Sequence, residues 1–274
     1  MRAILFFMGL LACSSACNAQ DSGLETLRTS DETRGWEAVG RLDIGQVAFC
    51  TGTLISPELV LTAAHCLYDK TTHRPYATND FKFLAGWREG RAVAYRGVKR
   101  AFAHPSYRYD GPEQIDGVPY DLALLELDQP IRLASIPPFA TGSDPLAGDK
   151  VEVVSYAFDR SEAPSLQEVC HVLGPQPGMT VFSCSVDFGS SGAPIFKVVD
   201  GKPEIVSVVS AKAEMNGTRV AIGPQMELPL AELRAAFAQS ETSFRNVTVS
   251  TGKLPQITPT VPTSGGAGAK FLKP

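Results

Sequence analysis

The chain has 274 residues, a formal net charge of −4, 44% hydrophobic residues and six cysteines. That length exceeds a minimal single core and suits one β-rich enzyme domain. The mild negative charge argues against a nucleic-acid partner, which would need a basic face, and Arg91, Arg96, Lys99 and Arg100 read as solvated surface.

The first element is a leader. Met1-Arg2 precedes a short apolar run from Ala3 to Ala12, followed by small residues at Ser14, Ser15, Ala16 and Ala19. This is the pattern of a secretory signal peptide over residues 1–19, cut after Ala16 or Ala19. It is too short to span a bilayer as a helix, and no later run approaches its length, so no membrane span is expected. Leu10-Leu11-Ala12-Cys13 approximates a lipoprotein box with Leu11 an imperfect fit, so lipid anchoring is the alternative to a secreted or periplasmic protein. Export places the chain in an oxidising compartment, where Cys50, Cys66, Cys170 and Cys184 make an even set for two disulfides. Cys13 and Cys17 would leave with the leader.

Residues 20–35 read as an N-terminal segment or propeptide, and residues 36–239 as the main domain. Within it, short apolar runs alternate with Gly, Pro, Asn and Asp, as in an all-β barrel protein. Examples are Val47-Ala48-Phe49, Leu59-Val60-Leu61, Phe81-Lys82-Phe83-Leu84, Val151-Glu152-Val153-Val154 and the run from Ile205 to Val209. Asn216-Gly217 is a hairpin turn signal, because both residues accept positive φ. Leu230 to Ala238 has helical apolar spacing. Residues 240–274 turn rich in Thr, Pro and Gly, a flexible tail that cannot bury enough apolar surface to offset its ordering entropy.

Three motifs carry chemistry. Thr62-Ala63-Ala64-His65-Cys66, Asp121-Leu122-Ala123-Leu124-Leu125 and Gly189-Ser190-Ser191-Gly192-Ala193-Pro194 appear in the order His, Asp, Ser. Each alone has a bland reading: a satisfied buried histidine, a strand-edge aspartate, an exposed serine in a tight turn. Together they supply what a serine hydroxyl needs to act as a nucleophile, namely an imidazole base and a carboxylate that fixes its tautomer.

At these residues the chain resembles the trypsin/chymotrypsin-like serine proteases, from about Trp36 to Gln239. Its Ser190 and Ala193-Pro194 resemble in style the bacterial secreted, glutamyl-endopeptidase-like branch. The resemblance implies an all-β fold of two six-stranded antiparallel β-barrels, with the catalytic cleft between them and a C-terminal α-helix. It implies a serine endopeptidase acting on polypeptides as a monomer, with no cofactor and no metal. His65, Asp121 and Ser191 would be catalytic, and the backbone N–H groups of Gly189 and Ser191 would form the oxyanion hole. Ser185 and Ser210 would contact substrate, with Ser207 an alternative alignment to Ser210. It also implies the pairs Cys50–Cys66 and Cys170–Cys184. A catalytically silent or esterase-like protein on the same fold is the rival reading.

Two departures from the family pattern stand out. Ser190 occupies the position where digestive members carry an Asp that pairs with a freed N-terminus, and no Ile-Val-Gly-Gly string precedes Trp36. Ser185 occupies the position of the trypsin pocket Asp, with Val186 and Val209 nearby and Asp187 at the rim.

Overall fold

The computed structural model describes residues 21–245 except 46, 112–114 and 216, with the side chains of 241–245 also left aside. The expected leader, and residues 246–274 of the tail expected over 240–274, lie outside the described residues, while 240–245 continue the C-terminal helix. So does Asn216, although the flanking strands pair Met215 with Thr218 and Gly217 takes φ +78°, as a two-residue hairpin requires.

The first half is a closed barrel. Its strands are β2 (Val39–Ile44), β3 (Ala48–Ser56), β4 (Leu59–Thr62), β5 (Phe81–Ala85), β6 (Ala94–Ala103) and β7 (Ala123–Leu127), ordered β2-β3-β4-β7-β6-β5 and closing on β2; β1 (Glu25–Thr26) lies outside it. Val39, Leu42, Leu54, Val60, Leu61, Phe83 and Leu124 are fully buried in the core. Two glycines admit the barrel's closest approaches. A Cβ on Gly40 would sit 2.5 Å from the Phe83 ring, and one on Gly52 would sit 2.7 Å from Val60. Every residue of β7 is buried, including Glu126, whose charge is met by Arg100 at 3.0 Å and Lys99 at 2.5 Å. Arg100 also stacks on Phe237 at 3.5 Å. Arg100 is therefore a packing residue rather than the solvated charge its sequence neighbourhood suggests.

The second half does not form the expected second six-stranded barrel. β8 (Ala140–Thr141), β9 (Lys150–Ala157), β10 (Arg160–Gln176), β11 (Met179–Phe182), β12 (Pro194–Val199), β13 (Lys202–Val208), β14 (Ala211–Met215) and β15 (Thr218–Pro224) join with β1 in an open nine-stranded sheet. Its order is β14-β15-β11-β10-β9-β12-β13-β8, with β1 added on β10. Among the described residues the two ends of this sheet do not pair with each other. One edge of β13 is taken by β12 and the other by the two-residue β8, which pairs at Glu204 and Ile205. Near its end β13 meets β15 at the Ser207 hydroxyl, which donates to Pro224 O at 2.8 Å, and among the described residues no ladder joins these two strands. The long β10 serves β9 with its first part and β11 with its last, and register shifts along it let it bend between them.

The chain ends in α1 (Glu227–Arg245), longer than the expected run from Leu230 to Ala238. Asp144 Oδ1 accepts the N–H groups of Met226 and Glu227, placing a carboxylate at the positive end of the helix. Leu230, Leu233 and Phe237 point into the core. Among the described residues no helix is long and apolar enough to cross a membrane.

Candidate active site

His65 lies on a single 3₁₀ turn, Ala64–Leu67, directly after β4. The Cys50–Cys66 disulfide ties that turn back to β3. Asp121 ends the 3₁₀ segment 115–120 and precedes β7, the neighbour of β4 in the barrel. Two adjacent strands thus bring together groups 56 residues apart in sequence. Asp121 Oδ2 lies 2.7 Å from His65 Nδ1, and Oδ1 accepts the His65 backbone N–H at 2.8 Å. The Ser210 hydroxyl donates to Oδ2 at 2.5 Å. Asp121 is 2% exposed, so these three donors replace the water it lost on burial. With Nδ1–H given to Asp121, the ring presents its Nε2 lone pair outward.

Ser191 belongs to the other half, on the turn before β12. Gly189 (φ +97°) and Gly192 (φ +75°) hold left-handed conformations that bend this turn. A Cβ on Gly189 would lie 2.5 Å from the Phe49 ring, and one on Gly192 would lie 2.1 Å from Thr62 Oγ1. Thr51 of the barrel clamps the turn. Its N–H donates to Ser191 O at 2.8 Å and its hydroxyl donates to Gly189 O at 3.0 Å. The N–H groups of Gly189 and Ser191 find no acceptor among the described residues, and neither does the Ser191 hydroxyl. Two oriented N–H donors and one hydroxyl are therefore free for a ligand.

His65, Asp121 and Ser191 line one cleft of about 390 Å³, together with Tyr107, Tyr109, Val186, Phe188, Val209, Ser210 and Lys212. The Ser210 hydroxyl meets Asp121, whereas that of Ser207 donates to Pro224 O. Ser185 is not among the cleft-lining residues; its N–H is taken by Gln167 Oε1 at 2.7 Å. Asp187 is at the rim and is already paired, with Lys212 Nζ at 2.6 Å and Arg219 at 3.4 Å. The Lys212 bond and the Phe188 N–H hold its carboxyl below the usual aspartate range. Lys212 also lies 3.7 Å from the centre of the Phe188 ring, so a cation–aromatic–carboxylate group forms one lip of the cleft.

Sequence reasoning missed Lys212, Phe188 and the cleft tyrosines, because their arrival at the site depends on how the two halves meet. The donor atoms of Cys50, His65 and Cys66 lie within 4.8 Å of one another, but both sulfurs are consumed by the disulfide. The second expected disulfide, Cys170–Cys184, is also formed, and it anchors the segment leading to Ser191.

Comparison with known proteins agrees with this geometry. A glutamyl endopeptidase of Bacillus licheniformis is 24% identical over 174 residues, covering 62% of this chain and 52% of that protein. A modular serine protease of Drosophila melanogaster is 36% identical over 93 residues, covering 32% of this chain and 14% of that protein. The chain thus spans at most about half the length of these two relatives. The solved structure of a Glu endopeptidase in complex with MPD superposes with a TM-score of 0.66 at 20% identity, covering 80% of this chain and 98% of the other. That likeness establishes a shared fold. The family model described as Trypsin matches residues 28–222, most of the chain, and the chain belongs to the trypsin family.

Proposed function

We propose that the protein is an exported serine endopeptidase that cleaves polypeptides through an acyl-enzyme. The observation that carries this reading is the buried Asp121 carboxylate held against His65 Nδ1 in the cleft that Ser191 lines. Ser191 Oγ attacks the scissile carbonyl while His65 Nε2 takes its proton. The imidazolium so formed is stabilised by Asp121, which stays ionised. The tetrahedral oxyanion is received by the N–H groups of Gly189 and Ser191, already oriented by the Thr51 clamp. Collapse expels the amine, which takes its proton from His65, and water then hydrolyses the ester by the same steps in reverse order of roles.

The cleft wall favours an uncharged side chain at the cleavage site. Val186 and Val209 are apolar, and the carboxylate at the rim is neutralised by Lys212. A Lys or Arg side chain would be desolvated there without a free counter-charge. A small or medium apolar residue before the scissile bond is the expected preference. Export follows from the leader expected over residues 1–19, and the two disulfides suit an oxidising compartment.

The test is labelling of Ser191 with a fluorophosphonate, followed by cleavage profiling of a peptide library. Ser191→Ala should keep its circular dichroism spectrum and lose casein cleavage by about 10⁶-fold. Retention of a few per cent of activity would refute the nucleophile. A library profile dominated by Arg and Lys sites, or by Glu sites, would refute the apolar preference while leaving the mechanism intact.

A further inference from the structure

Arg160 begins β10 just beyond the turn at Asp159, and its guanidinium reaches beneath the Ser191 turn. The side chain is only 13% exposed, and its Nε is buried with no hydrogen-bond partner among the described residues. Its Nη2 lies 3.1 Å from the Ser155 hydroxyl and 3.5 Å from the Ser190 hydroxyl. Its Nη1 lies 3.1 Å from the exposed carboxylate of Asp159. Burial disfavours the charge and pulls the guanidinium pKa down. Asp159 meets the guanidinium only on its exposed side, and on the buried side the cation faces two neutral hydroxyls, where an apolar side chain of similar volume would fill the space at lower cost.

What this cation touches explains its presence. Ser190 is fully buried and stands between the two free N–H groups of the turn. Its hydroxyl lies 3.3 Å from both Ser155 Oγ and Tyr156 O, and 3.4 Å from the Asp187 N–H. These contacts are individually long, and Arg160 is the charged member that polarises them. The described N-terminal residues lie elsewhere. Asp21 pairs with His171, Ser22 N donates to Val169 O, β1 pairs with Leu166 and Ser165, and Leu27 N donates to Pro164 O, so the described start of the chain, at Asp21, lies at the end of β10 remote from Arg160.

We propose that Arg160 is a positioning residue for the oxyanion turn: its guanidinium, acting through the Ser155 and Ser190 hydroxyls, holds the Gly189 and Ser191 N–H groups in their receiving orientation. The proposal rests on the serine endopeptidase reading. Donors that meet a developing oxyanion act on the transition state more than on the bound substrate, so their disorder lowers kcat and spares KM.

The test uses full-length enzyme and a peptide substrate chosen from the library profile. Arg160→Met should lower kcat by about 10²-fold with KM changed less than about threefold. Millimolar guanidinium chloride should restore part of the loss. Ser190→Ala should lower kcat by a smaller factor and add little in the Arg160→Met background, because both act through one contact. Arg160→Lys should also lose rate, since an ammonium cannot span two hydroxyls as the planar fork does. Should Arg160→Met fail to fold, the Arg160→Lys and Ser190→Ala variants carry the same test through their kcat and KM. An unchanged kcat in the variants overturns the proposal, as does a loss that is additive with Ser190→Ala and unaffected by guanidinium. Wild-type enzyme that is not labelled by the fluorophosphonate defeats the protease reading itself, whereas labelled, active wild type with indifferent variants defeats only the role of Arg160.

Discussion

The two halves of the molecule position their catalytic groups by different means. In the closed barrel every strand has two neighbours, and the adjacent β4 and β7 set side by side the 3₁₀ turn that carries His65 and the segment end that carries Asp121. In the open sheet Ser191 sits on a turn between β11 and β12 that belongs to no ladder. Its order comes from left-handed glycines, from Thr51 reaching across from the barrel, and from the hydroxyl contacts of Ser190. Closure thus makes the base and its carboxylate a property of the scaffold, while the nucleophile turn depends on a few separate contacts. Single substitutions should therefore disturb the second half's geometry more easily than the first's.

Short of removing the nucleophile itself, the largest effect should come from changing charge within the rigid pair while leaving its shape. Asp121→Asn should lower kcat by about 10⁴-fold, because the amide favours the wrong imidazole tautomer. Its melting curve should remain close to wild type. A loss below about tenfold would break the assignment of Asp121 as the group that orients His65.

Next comes a purely steric change on the turn. Gly189→Ala introduces a Cβ 2.5 Å from the Phe49 ring and 3.0 Å from Ala157 Cα, at a φ of +97°. The turn must move, and kcat should fall by about 10²- to 10³-fold, the scale of losing an oxyanion donor. By contrast Gly201→Ala meets no atom within 4 Å and carries only the strain of its φ of +75°, so it should lower stability by about 1 kcal/mol and leave kcat alone. Equal kcat losses in the two variants would remove the special status given to the turn.

The disulfides sharpen the contrast further. They close loops of similar sequence separation, 16 for Cys50–Cys66 and 14 for Cys170–Cys184, and each should contribute about 3 kcal/mol. Replacing either pair with alanines should lower the melting temperature. Only loss of Cys170–Cys184 should also lower kcat several-fold at a temperature where both variants remain folded, because His65 keeps its two Asp121 contacts without a bridge.

The smallest effect concerns pH and the seam between barrel and helix. His104 is buried, stacks on Tyr120, accepts the Ser106 N–H at Nδ1 and faces Glu232 of α1 at 3.3 Å. Burial depresses its pKa below 6.5 despite the opposing pull of Glu232. A depressed histidine pKa means the unfolded chain binds the proton more readily, so stability is full above about 6.5 and declines as pH falls below it. His104→Gln should flatten that part of the stability–pH curve, as read from melting temperatures at stepped pH. A wild-type curve that is already flat there would show that Glu232 compensates the burial.

The catalytic motifs were legible in the sequence because each type of side chain came with its own local signature, and Gly189 and Gly192 marked a turn that only glycine can make. The four cysteines paired as the resemblance implied. Local text was a poor guide to residues that act across the molecule. Arg100, read as solvated, is stacked beneath α1, and His104 and His171 find partners in Glu232 and Asp21 that lie far away in sequence. Ser185, expected to contact substrate, is not among the residues lining the cleft, while Lys212 and Phe188 form its lip.

The chain's own sequence determined which elements form, because alternation, turn residues and the Leu230, Leu233, Phe237 spacing are local instructions. It also determined the chemistry available, since a hydroxyl, an imidazole and a carboxylate can be read one residue at a time. Whether a sheet closes is not a local matter. It depends on which strand ends meet in space, and among the described residues β13 meets β15 through the Ser207 side chain without a strand pairing. The same holds for Arg160, whose place under the Ser191 turn follows from the meeting of β9, β10 and the turn, and which no spacing along the chain announces.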